Sequence, residues 1–171
     1  CRSVVRLPSS TMSDRAASSP GKEAGTESGG GQSGGEVHRN VARVVEAGRQ
    51  LGIEVRPVAF PDGTKTAVDA AAAIGCDVAQ IVKSLIFGVD GELVLAYVSG
   101  ANQLDETKLA DAAGGLRCSR VDADTVRATT GFPIGGVPPF GHRTPLRVFV
   151  DPDLLLHVGS WAAAGPWSAV F

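Results

Sequence analysis

The sequence predicts an α+β chain in which one mixed, curved β-sheet carries helices on its faces. Three observations lead there. Ile81 to Ser99 is nearly all apolar and β-prone apart from Lys83, and Asp90-Gly91 within it is a two-residue hairpin signal that requires an antiparallel strand pair. Helical and extended patterns mix along the chain without strict β-α-β alternation. Ile81 to Val89 is apolar on both of its alternating faces, so this strand is expected to be central and covered on both sides.

The elements follow in order. Residues 1–35 read as a disordered tail, because "SSPGKEAGTESGGGQSGG" offers almost nothing to a core. The folded unit is expected over 36–171, with Met12 as the natural start. "EVHRNVARVVEAGRQLG" places Val37, Val41, Val44, Val45 and Leu51 on one side of a helix that stops at Gly52. "IEVRPVAF" reads as a short edge strand, since Pro57 lacks a ladder donor. "PDGTK" is a turn. Thr66 and Asp69 form a capping box for "AVDAAAAIG", which Gly75 ends. After the hairpin, Asp105 caps "ETKLADAA", and Asp122 caps a short helix reaching Thr130. "GFPIGGVPPFGH" holds four glycines and three prolines and is expected to be a loop. "LRVFV" is a strand, "DLLLHV" a helical turn or strand, and "PWSAVF" a last strand. The chain stops at Phe171 inside that strand, which predicts a further C-terminal element.

Bulk properties bound the function. The 171 residues carry 16 Lys+Arg against 18 Asp+Glu, so no broad basic footprint for duplex nucleic acid is present. Cys1, Cys76 and Cys118 are odd in number and form no C-x-x-C, which fits free buried thiols in a reducing cytoplasm better than disulfides or structural zinc. His38, His142 and His157 lack metal-ligand spacing. No apolar run approaches the roughly 20 residues a membrane span needs, so no membrane partner is expected. No P-loop pattern occurs, no G-x-G-x-x-G follows a strand, and no Ser-His-Asp order accompanies a nucleophile elbow.

Two features point to a site. Lys83 interrupts the apolar central strand, where an ammonium is costly unless its stem carries it to the rim or it faces an anionic ligand. Gly135-Gly136 lets backbone amides turn outward, and Pro138-Pro139 stiffens the loop just after. Bare amides suit a carbonyl oxygen, an oxyanion or a phosphate; a tight structural connection is the competing reading. Thr66 serves either as a helix cap alone or also at a pocket mouth. Trp161 and Trp167 are packing residues or stacking platforms for a base.

Four stretches, in order, resemble the YbaK family, the free-standing relatives of the editing domain inserted in bacterial prolyl-tRNA synthetase. They are "TKTAVDAAAAIGC", "QIVKSLIFGVDGELVLAYVSGANQLDETKLA", "ATTGFPIGGVPPFGH" and "VFVDPDLL". Lys83 matches the family's central-strand lysine and Gly135 to Pro139 its G-x-x-x-P loop. The resemblance implies a mixed, partly barrel-like sheet flanked by helices. It also implies hydrolysis, without metal or cofactor, of the ester joining a mischarged amino acid to a tRNA 3′ end. Lys83 would hold phosphate at the terminal adenosine, and Gly135, Gly136, Val137 and Pro139 would grip the aminoacyl end. Two departures stand out: Pro138 removes one amide donor, and "GPWSAVF" offers Trp167 and Ser168 where some relatives carry an acid or histidine.

The expected function is therefore that of a cytoplasmic aminoacyl-tRNA deacylase acting in trans on a small amino acid, such as Cys or Ala on tRNA-Pro. Its partners would be the acceptor end of the tRNA and a synthetase. The alternatives are a non-catalytic module binding aminoacyl-tRNA or a nucleotide, and a purely structural domain.

Overall fold

The computed structural model describes residues 5–6, 34–60 and 66–171. The expected tail, Cys1, Met12 and the turn at 61–65 fall almost wholly outside those residues. Helices α1 (Gly34–Gln50), α2 (Ala67–Ile74), α3 (Glu106–Ala113) and α4 (Ala123–Thr130) surround strands β1 (Val5–Arg6), β2 (Val58–Ala59), β3 (Ile81–Val89), β4 (Glu92–Ser99), β5 (Cys118–Arg120), β6 (Arg147–Val150), β7 (Trp161–Ala162) and β8 (Ala169–Val170). Six strands make one open, mixed sheet in the order β1-β6-β4-β3-β5, with β7 pairing the start of β3; β2 and β8 form a separate ribbon. The sheet is not closed into a barrel.

The hairpin β3–β4 is the spine. Its register runs from Val82 opposite Ser99 to Val89 opposite Glu92. Asp90 and Gly91 turn it with positive φ of 48° and 89°, the primed-turn geometry that matches strand twist. One face of the hairpin buries Phe87, Val94 and Ala96, beside Phe149 of β6, against Leu109 of α3. The other buries Ile86 and Leu95 against Val44, Val126, Phe132 and Val137. Both faces of β3 are covered, as its sequence predicts. Phe132 and Phe149 are at most 1% exposed, and each such side chain contributes about 1.5–3 kcal/mol relative to exposure.

The helix ends obey the capping signals. Thr66 and Asp69 exchange hydrogen bonds as a capping box, and Gly75 closes α2 in the left-handed conformation. Asp105 accepts from the Thr107 and Lys108 amides, and Asp122 from that of Thr125. Helix α1 departs from its expected face. Asn40, Val44 and Gly48 are buried, while Val45 and Leu51 are 37% and 56% exposed. Two close approaches turn it: a Cβ on Gly48 would lie 2.4 Å from Val55, and one on Gly165 would lie 2.9 Å from Asn40. The "DLLLHV" segment contributes a short 3-10 helix over Pro152–Leu156.

Candidate functional site

The outer edge of β3 is interrupted. The short β7 runs parallel to it at Ile81 and Val82, and β5 runs antiparallel to it from Phe87 to Val89. Residues 83–86 have no partner on that edge among the described strands. A cavity of about 680 Å³ opens at this gap. Lys83, Ser84, Thr66, Gly135, Val137 and Trp167 are among its lining residues.

Lys83 shares the face of Phe87 and Val89, the α3 side, whereas the glycine-proline loop lies against the opposite face with Ile86. Lysine and loop therefore reach one cavity from the two sides of the strand. The ammonium is not left to solvent. It donates to the Asn102 carbonyl, and more loosely to that of Gly100 at 3.5 Å. Asn102 is itself fixed, since its Nδ2 donates to Asp151 at 2.8 Å and Asp153 at 2.9 Å. Asp151 Oδ2 also accepts from the Ser99 amide. Burial pushes the Lys83 pKa down, and the Asp151 carboxylate opposes that shift. An ammonium has three donors, so with two carbonyls satisfied one N–H remains for a ligand.

The loop of residues 131–142 is held from behind. Arg43 of α1 donates to the carbonyls of Thr130 at 2.6 Å and Gly141 at 2.7 Å, tying its two ends together, and its guanidinium lies 4.3 Å from the centre of the Phe132 ring. The Tyr97 hydroxyl donates to the Pro139 carbonyl, and His142 Nε2 lies 2.7 Å from that of Pro138. That contact requires a proton on Nε2, and burial pushes the His142 pKa down, so the ring is the neutral Nε2–H form. Burial pushes Tyr97 up, so its hydroxyl stays a donor.

The loop carries fewer outward amides than its sequence suggests. The Gly136 N–H donates to Pro133 at 3.0 Å. A Cβ there would lie 2.2 Å from the Gly165 carbonyl oxygen, so this glycine serves a chain crossing. Pro138 is fully buried, and neither Gly136 nor Pro139 lines the cavity. Gly135 does, with φ of 82°, and a Cβ there would make only an ordinary contact with Trp167, at 3.9 Å. The Gly135 and Val137 amides find no partner among the described residues. Val137 packs its side chain into the core beneath.

Thr66 fills both expected places, as the α2 cap and at the cavity wall. Trp161 is half-buried against Ala70, Ala71 and Ile81, while Trp167 is 40% exposed; both line the cavity. Cys76 and Cys118 are free and half-buried, and burial pushes both thiols up, away from the thiolate. Among the described residues no group of three His, Cys, Asp or Glu is placed to hold a metal, and no helix is long and apolar enough to cross a membrane. Sequence reasoning missed Ser84. Its signal was a lone small polar side chain beside Lys83 on an otherwise apolar strand.

A family model described as an aminoacyl-tRNA editing domain matches residues 61–166, which include Lys83 and the whole loop but not α1. The chain is 32% identical over 113 residues to a proline--tRNA ligase of Pelotomaculum thermopropionicum, covering 65% of this chain and 20% of that one. It is 34% identical over 109 residues to that of Maridesulfovibrio salexigens, covering 64% and 18%. It thus spans about a fifth of the length of these curated relatives. A solved structure provisionally described as a trans-editing enzyme for prolyl tRNA synthetase is 43% identical, with a TM-score of 0.73 over 77% of this chain and 84% of that one.

Proposed function

Because the chain belongs to the aminoacyl-tRNA editing domain family, we propose that it is an aminoacyl-tRNA deacylase acting in trans on a small amino acid mischarged on tRNA, such as Cys or Ala on tRNA-Pro. The observation that carries this reading is the gap in the sheet, where Lys83, Gly135, Val137 and Thr66 line one cavity. Lys83 offers its remaining N–H to a phosphate near the terminal adenosine, and the phosphate in turn holds the ammonium charged. The Gly135 and Val137 amides face the aminoacyl end. Water adds to the ester carbonyl carbon, the bond to the ribose oxygen breaks, and that oxygen leaves with a proton as the 3′-terminal hydroxyl. An aminoacyl ester is already activated, so placement and oxyanion donors suffice; one such donor is worth about 3–4 kcal/mol of barrier. The partners are the acceptor end of the tRNA and a prolyl-tRNA synthetase that has released it, and the compartment is the cytoplasm.

The test is a panel of charged tRNAs treated with purified full-length protein. Hydrolysis by the wild type and its loss in Lys83→Ala is the expected outcome. Unchanged turnover in that variant removes Lys83 from the mechanism. Binding without turnover in the wild type supports the non-catalytic module instead, a reading favoured by the Gly136 amide being consumed inside the loop and by Pro138 having none.

A further inference from the structure

The gap in β3 exposes more than side chains. The Gly100 N–H donates to the Ile81 carbonyl, so 81, 83 and 85 direct their backbone groups toward β4. The even residues direct theirs outward. Val82 meets β7 and Gly88 meets β5. Ser84 lies between them, and its N–H and C=O face the cavity with no partner among the described residues. The Ser84 hydroxyl is buried and makes no hydrogen bond among the described residues. A β-strand with one unpaired donor, one unpaired acceptor and an orphaned hydroxyl at the same residue is an unfinished rung.

We propose that the aminoacyl group completes this rung, pairing with Ser84 as a one-residue antiparallel strand while the Ser84 hydroxyl reads its side chain. Two residues opposed in an antiparallel ladder exchange both hydrogen bonds. The substrate's α-ammonium donates to the Ser84 carbonyl, and the Ser84 N–H donates to the ester carbonyl oxygen. That N–H keeps its bond as the oxygen becomes negative in the tetrahedral intermediate, supplying a donor that the Gly136 amide does not. Paired residues project their side chains to the same face. For the substrate this is the face of the Ser84 hydroxyl, on the side of Ile86 and the glycine-proline loop. A buried hydroxyl without a partner favours a ligand that supplies one and disfavours the analogue lacking it. The site therefore takes a small amino acid bearing a hydroxyl or thiol, Ser or Cys, ahead of Ala. This inference rests on the deacylase reading above and names the substrate class for it.

The experiment compares seryl-, cysteinyl- and alanyl-tRNA-Pro with wild type and Ser84→Ala, and follows the Ser84 amide by 15N NMR with the non-hydrolysable 3′-serylamido analogue of 3′-deoxyadenosine. The expected result has three parts. Wild type prefers seryl and cysteinyl over alanyl esters. Ser84→Ala loses that preference by roughly 10- to 100-fold in the ratio of kcat/KM, the value of one hydrogen bond in a desolvated pocket, while its Tm is no lower than wild type, because an unsatisfied hydroxyl has been removed. The Ser84 amide signal shifts downfield and exchanges more slowly with the analogue bound. Wild-type turnover with an unchanged ratio in the variant and a stationary Ser84 signal overturns the rung and leaves the deacylase standing. Failure of the wild type to hydrolyse any ester or bind the analogue overturns both.

Discussion

Lys83, Ser84 and His142 show how single side chains acquire meaning from what surrounds them. The charge on Lys83 is legible in the sequence because nothing else polar of that length interrupts the strand. Its partners are not, since Asn102 and Asp151 lie 19 and 68 positions away and meet it only through the fold. His142 has a consequence for pH. Its folded pKa lies below the ordinary 6.5, so below that value the unfolded chain binds a proton that the folded chain does not. Stability is then lost as the pH falls through about 6.5. Urea unfolding at pH 7.5 and 5.5 is expected to show a larger acid loss for wild type than for His142→Asn, which removes the titrating ring; equal losses would place the acid sensitivity elsewhere.

Among the elements, those with local signals were readable. The β3–β4 hairpin is announced by Asp90-Gly91, and α2, α3 and α4 by Thr66, Asp105 and Asp122 before them and glycines after them. β5 and β7 were not readable. Three and two residues long, they are too short to show alternation, and Ser119 and Arg120 are exposed. They are strands only because β3 offers them an edge, and the site is the space between their ends. The two glycines of the loop were misread in part for a similar reason: sequence cannot say whether a glycine admits a ligand or another stretch of backbone. The distinction is measurable. Gly136→Ala drives a Cβ into the Gly165 carbonyl and is expected to cost about 1–3 kcal/mol or more by urea unfolding, because backbone cannot step aside. Gly135→Ala makes an ordinary contact with Trp167 and suffers chiefly from its left-handed backbone, about 1–2 kcal/mol. A smaller loss for Gly136→Ala than for Gly135→Ala would contradict the crossing.

At the scale of the whole molecule, a net charge of −2 is consistent, on the proposed deacylase reading, with contact confined to the acceptor end of the tRNA. Each phosphate neutralised adds roughly 0.7–0.9 to the slope of log affinity against log salt. With contact confined to the acceptor end, kcat/KM on a charged acceptor-stem minihelix is expected to lie within a few-fold of that on full-length tRNA, and its salt slope to correspond to about one or two phosphates. A steep slope would instead mean that the chain contacts phosphates well beyond the acceptor end. Helix α1 lies outside the segment matched by the family, yet its Arg43 cinches both ends of the loop, so the matched segment is not the whole of what shapes the site. The aperture itself is framed by main chain on three sides. Its span, four residues or roughly 13 Å, is dictated by where two neighbouring ribbons stop hydrogen-bonding. Lengthening either ribbon by a couple of residues would shutter the window without touching a single residue inside it. In such an architecture selectivity for bulk can be retuned by insertions and deletions in the flanking connections, a kind of change that comparison of pocket side chains alone would overlook.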